Sequence, residues 1–477
     1  MNRATESAAN HARSATENTC RLCAPLGACL AFRGIAGAMP LLHGSQGCAT
    51  YIRRYMISHF REPLDIASTS FSEETAVFGG RDNLRTAMAN VIRQYEPRLI
   101  GIATTCLAET IGDDVALFLR EIVAEESLPV PKLVHVSTPS YCDSYEDGYR
   151  AATAAIVRSL ASGRERHNAV NLIAPPSSPA DLRELKTLFR ARGIEAIVVP
   201  DFSDTLDGPT WSEYHRIPPG GTPIEEIVRM GGSRLTIEFA DGGAGPTAGE
   251  FLQDRFGVPR EVLPLPIGIA AADRLYAILD SLAGAPACDQ WADRRGRLID
   301  SYVDAHKYVF GKRVVVCGQR DLVAAIAGFL DEIGMKPVLC ATGAKGLSLP
   351  QVQHAEGNDP GDCNPRGASP RGPAYDLDSA ADEGTLPLVR DDTDFADIEE
   401  LAVRLQPDLI VGSSKGYALA RRLNVPLVRV GFPIHDRIDG PRLLHLGYAG
   451  TQQLFDRIVN ALIEKSQETS PVGYSYM

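Results

Sequence analysis

Three cysteines, Cys23, Cys48 and Cys106, are the residues of this 477-residue chain whose type and placement best suit chemistry. Cys23 opens Cys-Ala-Pro-Leu-Gly, Cys48 closes His-Gly-Ser-Gln-Gly-Cys, and Cys106 follows Thr104-Thr105. Each stands where the chain turns or leaves a strand, beside Gly27, Gly47 or the threonine pair, and not inside an apolar run. Thiols at the ends of elements can converge on one place. Thiolates are the soft ligands that iron–sulfur clusters and zinc take, and a bound metal holds them deprotonated. Three is one short of a tetrathiolate site, so either a ligand other than cysteine or a second chain completes it. The competing reading is of ordinary core thiols, because free cysteine is among the most buried residue types. The spacing is much looser than a compact Cys-x-x-Cys run and leaves both readings open.

The elements that must position these thiols follow from the apolar pattern. A helix begins over 28–32, and a short strand over 39–42 runs into His43-Gly44-Ser45-Gln46-Gly47-Cys48. Two glycines there permit close backbone approach, which gathers N–H groups and the Cys48 thiol. Helices are predicted over 51–60 and 83–95, then a strand over 99–103 that delivers Cys106, then one helix over 108–122. A further strand over 132–137 ends in Thr-Pro-Ser-Tyr-Cys-Asp-Ser, which brings Cys142 and Ser144 to the same edge. In open parallel sheets, ligands gather outside the carboxyl ends of the strands. Cys48 and Cys106 share that geometry, which favours the ligand reading.

The strand and helix alternation repeats twice more, so the fold class is α/β, with three Rossmann-like parallel-sheet domains. The expected organisation is a flexible lead at 1–18, domains at 19–164, 165–299 and 300–465, and a tail at 466–477. A Gly/Pro/Asp/Asn-rich insertion at 342–374 interrupts the third. The last helix is expected over 451–463. Gly318-Gln319-Arg320-Asp321 lacks the full dinucleotide fingerprint. Ser413, Ser414 and Lys415 read either as an anion-binding turn or as polar residues closing a strand-end loop. His435, Asp436 and Arg437 read as partner contacts or as loop-orienting groups.

With 44% hydrophobic residues, the chain can bury two or three cores. A net charge of −12, from 60 acidic and 48 basic residues, argues against a general nucleic-acid surface. Ten cysteines are too sparse for a disulfide scaffold and favour a reducing, cytoplasmic setting. The chain opens on no apolar signal region and carries no membrane-length apolar run.

At these residues the chain resembles the component 1 proteins of nitrogenase and nitrogenase-like reductases, and among them the beta-type subunits. Cys23 to Gly27, His43 to Cys48, and Thr104 through Asp114 resemble the three ligand segments of the family's P-cluster. Ser58 to Pro63, Glu73 to Gly80, Thr138 to Ser140, Gly412 to Gly416 and Arg429 to Asp436 match as well, in order along the chain. The resemblance implies that Cys23, Cys48 and Cys106 supply half the thiolates of an 8Fe-7S P-cluster. An alpha-type subunit would supply the rest within an α2β2 heterotetramer. It implies that Ser144 stands where beta-type subunits carry a serine able to ligate the oxidised cluster.

An ATP-dependent iron–sulfur reductase protein would dock transiently and donate electrons, which pass to a metallocluster in the alpha-type subunit. The short front end, the crowding of Cys20 and Cys29 around the first ligand, and the insertion depart from the standard dinitrogen-reducing pattern. Cys20 or Cys29 could serve as an alternative ligand. Within the family these departures resemble methylthio-alkane reductases, which reduce carbon–sulfur bonds. The alternatives are a beta-like subunit of a cofactor-assembly scaffold and a subunit of a dinitrogen-reducing nitrogenase.

Overall fold

The computed structural model describes residues 21–125, 131–239, 245–284, 289–349 and 387–472. The expected lead at 1–18, Cys20, Cys288, Cys363 and most of the 342–374 insertion lie outside them. The first layer runs α1 (Ala24–Arg33), β1 (Ala38–His43), α2 (Gln46–Phe60), β2 (Ala67–Ser68), α3 (Glu73–Phe78), α4 (Arg81–Tyr95) and β3 (Leu99–Thr104). It continues through α5 (Cys106–Ile111), α6 (Val115–Glu125), β4 (Lys132–Val136) and α7 (Tyr145–Leu160). The second sheet holds β5 (Val170–Ile173), β6 (Ala196–Val199), β7 (Leu235–Phe239) and β8 (Arg260–Leu263). The third holds β9 (Arg313–Gly318), β10 (Lys336–Thr342), β11 (Leu388–Arg390), β12 (Leu409–Gly412) and β13 (Leu427–Arg429).

Every strand pair in these sheets is parallel, with orders β2-β1-β3-β4, β6-β5-β7-β8 and β11-β10-β9-β12-β13. Parallel strands need crossover helices, and those helices cover both faces, so the strands are apolar throughout. In β1, Met39 and Leu41 face one core with Leu84, Met88, Val115 and Leu119, while Ala38 and Leu42 face the large core shared with the other sheets. That period of two places the strand ends. His43 pairs in register with Thr104, so the loops carrying Cys48 and Cys106 leave neighbouring strands at one level.

The sequence predicts one helix over 108–122, but Gly112 takes φ +79° and ends α5, so α6 starts afresh at Val115. The expected boundary at 299/300 falls inside the helix Asp289–Val309, which runs unbroken across it. The closing helix is Gly447–Thr469, longer than expected at both ends and running into the expected tail; near its end Lys465 holds Asn424 and Glu468.

The pattern also misses α7, although Ser144 and Asp147 form a capping box at its start. This helix crosses α1 at backbone contact. A Cβ on Gly27 would lie 1.7 Å from the Tyr145 carbonyl oxygen, and one on Gly148 would lie 2.0 Å from that of Ala24. Only glycine permits this approach, and it joins the start of α1, just after Cys23, to the start of α7, just after Ser144. Gly148→Ala should therefore destabilise the protein by at least about 2–3 kcal/mol. Urea unfolding followed by circular dichroism checks this; a change below about 0.5 kcal/mol would refute the contact.

Candidate functional site

The first sheet's carboxyl edge brings the expected thiols together. Cys23 sits in extended conformation at the start of α1, Cys48 in the first turn of α2, and Cys106 at the first position of α5. The loops that carry them are tied to one another. Thr105 N donates to the His43 carbonyl at 3.0 Å, and a Cβ on Gly44 would strike the Thr105 hydroxyl at 1.9 Å. Thr138 joins β4 to β3 by donating from its hydroxyl to the Thr104 carbonyl at 2.6 Å, while its N–H donates to the Thr104 hydroxyl at 2.9 Å.

Ser140 is the residue through which two of the thiols, Cys23 and Cys106, meet. Its N–H donates to Cys106 Sγ at 3.3 Å, its side chain hydrogen-bonds Cys23, and its carbonyl accepts from Arg21 at 2.9 Å. Ser45 Oγ lies 3.5 Å from Cys48 Sγ and donates to it. Cys23 keeps part of its surface open to solvent, yet the protein around its sulfur pushes the thiol above its ordinary value by burial. The Cys106 and Cys48 sulfurs push it further up, whereas Ser140 and Arg21 pull it down. Ionising Cys23 beside the Cys106 and Cys48 sulfurs calls for a cationic centre. Among the described residues no three His, Cys, Asp or Glu side chains are placed to hold a single metal ion. The donor chemistry of the edge, thiols reached by hydrogen bonds from Ser140 and Ser45, is that of soft iron–sulfur ligands.

Ser144 is nearly fully buried, and its backbone forms an antiparallel bridge with Cys23. Its hydroxyl donates to Asp147 Oδ2 at 2.7 Å and accepts from the Asp147 N–H at 3.4 Å, so capping α7 already engages it. Burial pushes the Asp147 carboxyl up, but hydrogen bonds from Ser144 and the Arg320 guanidinium outweigh this and leave it below its usual value. Cys29 is a core thiol of α1, fully buried and pushed up to about 12, and is no alternative ligand. Cys142 is exposed on the turn after β4.

The third sheet's edge is closed by the chain itself. Glu146 Oε2 accepts from Arg320 N at 2.9 Å, which places a carboxyl of α7 at the amino end of the helix Arg320–Glu332. That is the seat where a Rossmann-like unit holds phosphate. Asp436 receives Arg429 at 2.6 Å and Ser414 by a short bond, and is pulled down to about 2. These groups orient a strand-end loop instead of binding an anion.

The segments Ser58 to Pro63 and Arg429 to Asp436, matched separately in sequence, meet directly. His59 Nδ1 accepts from Ile434 N at 2.9 Å, and Arg61 donates to the His435 carbonyl at 2.8 Å. Burial pushes His59 down to about 3. The unfolded chain takes up this proton below its ordinary 6.5 while the folded ring stays neutral, so stability is complete above pH 6.5 and falls as pH drops toward 3. His59→Asn keeps an acceptor for Ile434 without the titration. Its unfolding free energy should change less steeply between pH 6.5 and 3 than the wild type's, by up to about 1.4 kcal/mol per pH unit. Equal slopes would discount His59.

Three parallel sheets, with thiols just beyond the strand ends of the first, define a Rossmann-like α/β protein, a class whose ligand sites lie at the carboxyl ends of the strands. The family model for "Nitrogenase component 1 type Oxidoreductase" matches residues 23–463. The chain is 35% identical to the nitrogenase molybdenum-iron protein beta chain of Clostridium pasteurianum, over 94% of this chain and 93% of that one. It is 31% identical to the nitrogenase iron-molybdenum cofactor biosynthesis protein NifN of Bradyrhizobium diazoefficiens, over 94% and 90%. A solved structure, "Nitrogenase Cp1 at pH 6.5", superposes with a TM-score of 0.85 at 32% identity, covering 98% of this chain and 97% of that one. The chain belongs to the nitrogenase component 1 type oxidoreductase family, as a subunit like the beta chain or NifN.

Sequence reasoning missed Ser140, whose N–H contact to Cys106 leaves no side-chain signature, and Asp147, whose only signal was the Ser-x-x-Asp capping pattern at 144–147.

Proposed function

We propose that this chain is the beta-type subunit of a two-component reductase, and that Cys23, Cys48 and Cys106 hold half of an 8Fe-7S P-cluster shared with an alpha-type subunit in an α2β2 heterotetramer. The observation that carries this is the gathering of three thiols on a part-exposed edge, with Cys48 and Cys106 both acting on Cys23. Tyr51, Leu107 and Tyr141, all exposed, stand in sequence beside those thiols and offer apolar surface to a covering chain. Such a cluster supplies one-electron storage and transfer. The chain's own residues hold its thiolates, with Ser140 and Ser45 as hydrogen-bond donors to sulfur, and exclude solvent behind them through α1 and α7. Ser144 is a candidate for a further ligand after oxidation; its proton would pass to the Asp147 carboxylate it already contacts.

Electrons arrive in this reading from an ATP-dependent iron–sulfur reductase protein that docks on the complex. Phe78, 81% exposed at the end of α3, adds apolar surface for that encounter. The alpha-type subunit would hold the metallocluster that supplies the reduction chemistry. We assign methylthio-alkanes as the substrate class, with two electrons and two protons converting each carbon–sulfur bond into a C–H bond and a thiol.

The similarity to NifN favours a second reading, a cofactor-assembly scaffold. Anaerobic purification of the co-expressed complex separates the two. A reductase subunit retains iron and sulfide and releases thiol from a methylthio-alkane when the reductase protein and ATP are supplied. A scaffold hands its cluster to an apo-enzyme and releases none, and a complex free of iron and sulfide refutes both.

A further inference from the structure

We propose that the cavity where residues of the first layer meet those around the second and third sheets is a binding site for small neutral hydrogen-bond donors, filled in solution by water. Its volume is about 40 Å³, and its lining includes His59 and Glu146 from the first layer, Ser177 beyond β5, and Gln319, Asp321 and His445 from the third. A water needs roughly 10–15 Å³ of such space and two to four polar partners, so the cavity accommodates about two or three.

The walls supply those partners. Ser177 Oγ, Gln319 Oε1, Asp321 Oδ1 and His445 Nε2 are buried and have no hydrogen-bond partner in the protein. Gln319, Asp321 and His445 are each more than nine-tenths buried. The set is dominated by acceptors. Gln319 Oε1 and Asp321 Oδ1 can only accept. In the tautomer whose Nδ1–H donates to Asp181 Oδ2 at 3.0 Å, His445 Nε2 offers a lone pair. Leaving these acceptors dry would forfeit the solvation they have in the unfolded chain.

The guest is neutral because the neighbouring carboxyls already have partners. Asp321 holds Arg150 at 2.6 Å, Asp181 accepts from the His445 ring and from the His445 and Leu446 N–H groups, and Glu146 receives the Arg320 N–H at 2.9 Å. Arg320 Nε, also without a hydrogen-bond partner, lies 3.9 Å from Asp321 Oδ1 but is not part of the lining. A small cation rich in donors, such as ammonium, shares the donor chemistry, and the charge balance disfavours it.

The test is a crystal structure of the complex at a resolution that shows ordered water, from crystals grown in sodium medium and from crystals soaked in thallium(I), an ammonium-sized scatterer. The proposal expects density peaks about 2.6–3.2 Å from His445 Nε2, Gln319 Oε1 and Asp321 Oδ1, with no thallium signal among them. A cavity without density, or these side chains bonded directly to one another, overturns it; a thallium peak replaces the neutral guest with a cation. Gln319→Met, of similar length without the carbonyl, should lose the peak nearest position 319 and keep the others. An unchanged set of peaks would remove Gln319 from the site.

Discussion

Cys106→Ala in the co-expressed, anaerobically purified complex is expected to lose the bridging cluster and nearly all reductase-driven turnover. Cys106 is fixed from two sides: it opens α5 directly after β3, and the Ser140 N–H points at its sulfur. Removing a direct thiolate ligand should cost at least the roughly 10–100-fold typical of residues that merely support ligands. Cys48→Ala should behave alike. Iron and sulfide content and the cluster's electron paramagnetic resonance spectrum report the loss directly. A bridging cluster also contributes binding energy to assembly, so the variant heterotetramer should dissociate more readily in analytical ultracentrifugation. Cys340→Ala is the control, because Cys340 is a buried core thiol of β10 pushed up to about 12. A full cluster spectrum in Cys106→Ala would end the assignment.

Arg320→Met should be the most destabilising single change at the junction of the first layer and the third sheet. The Arg320 side chain is almost completely buried, and its guanidinium donates to Asp147 Oδ1 at 3.3 and 3.4 Å and to the Lys345 carbonyl. Replacing it leaves the Asp147 carboxylate without its cation and strips the nearby Glu146 of an attracting charge. Breaking a buried pair from one side costs about 3–5 kcal/mol. Asp147 also caps α7 through Ser144, so the start of α7 should loosen with it. Urea unfolding measures the loss, and hydrogen exchange at the first turn of α7 locates it. Arg150→Met, which removes a part-exposed guanidinium from Asp321 and leaves Arg320 beside it, should cost less. A loss below about 1 kcal/mol for Arg320→Met would show that the network contributes little.

What the sequence made legible was local. Cys23, Cys48 and Cys106 could be placed at element ends because proline, glycine and threonine punctuate the apolar runs around them, and chain direction alone then puts strand ends on one edge. The parallel α/β class followed from the same alternation. The α7 helix escaped because Gly148, within its first turns, reads as a breaker; its reason is the Ala24 carbonyl of another helix, which no local pattern contains. The meeting of His59 with Ile434 spans 375 positions and depends on how the layers pack. Similarly, Glu146 at the mouth of the third sheet answers the missing dinucleotide fingerprint at Gly318 to Asp321, but only the assembled molecule shows which carboxyl replaces the phosphate.

The glycine-to-glycine crossing of α1 and α7 has a consequence for any change of oxidation state at the thiol edge. Cys23 and Ser144 begin two helices that touch backbone to backbone, so they form one rigid jaw whose separation neither helix can alter by itself. Rearrangement must then come from the opposite jaw, the starts of α2 and α5 that bear Cys48 and Cys106, or from rotation of a single side chain such as that of Ser144.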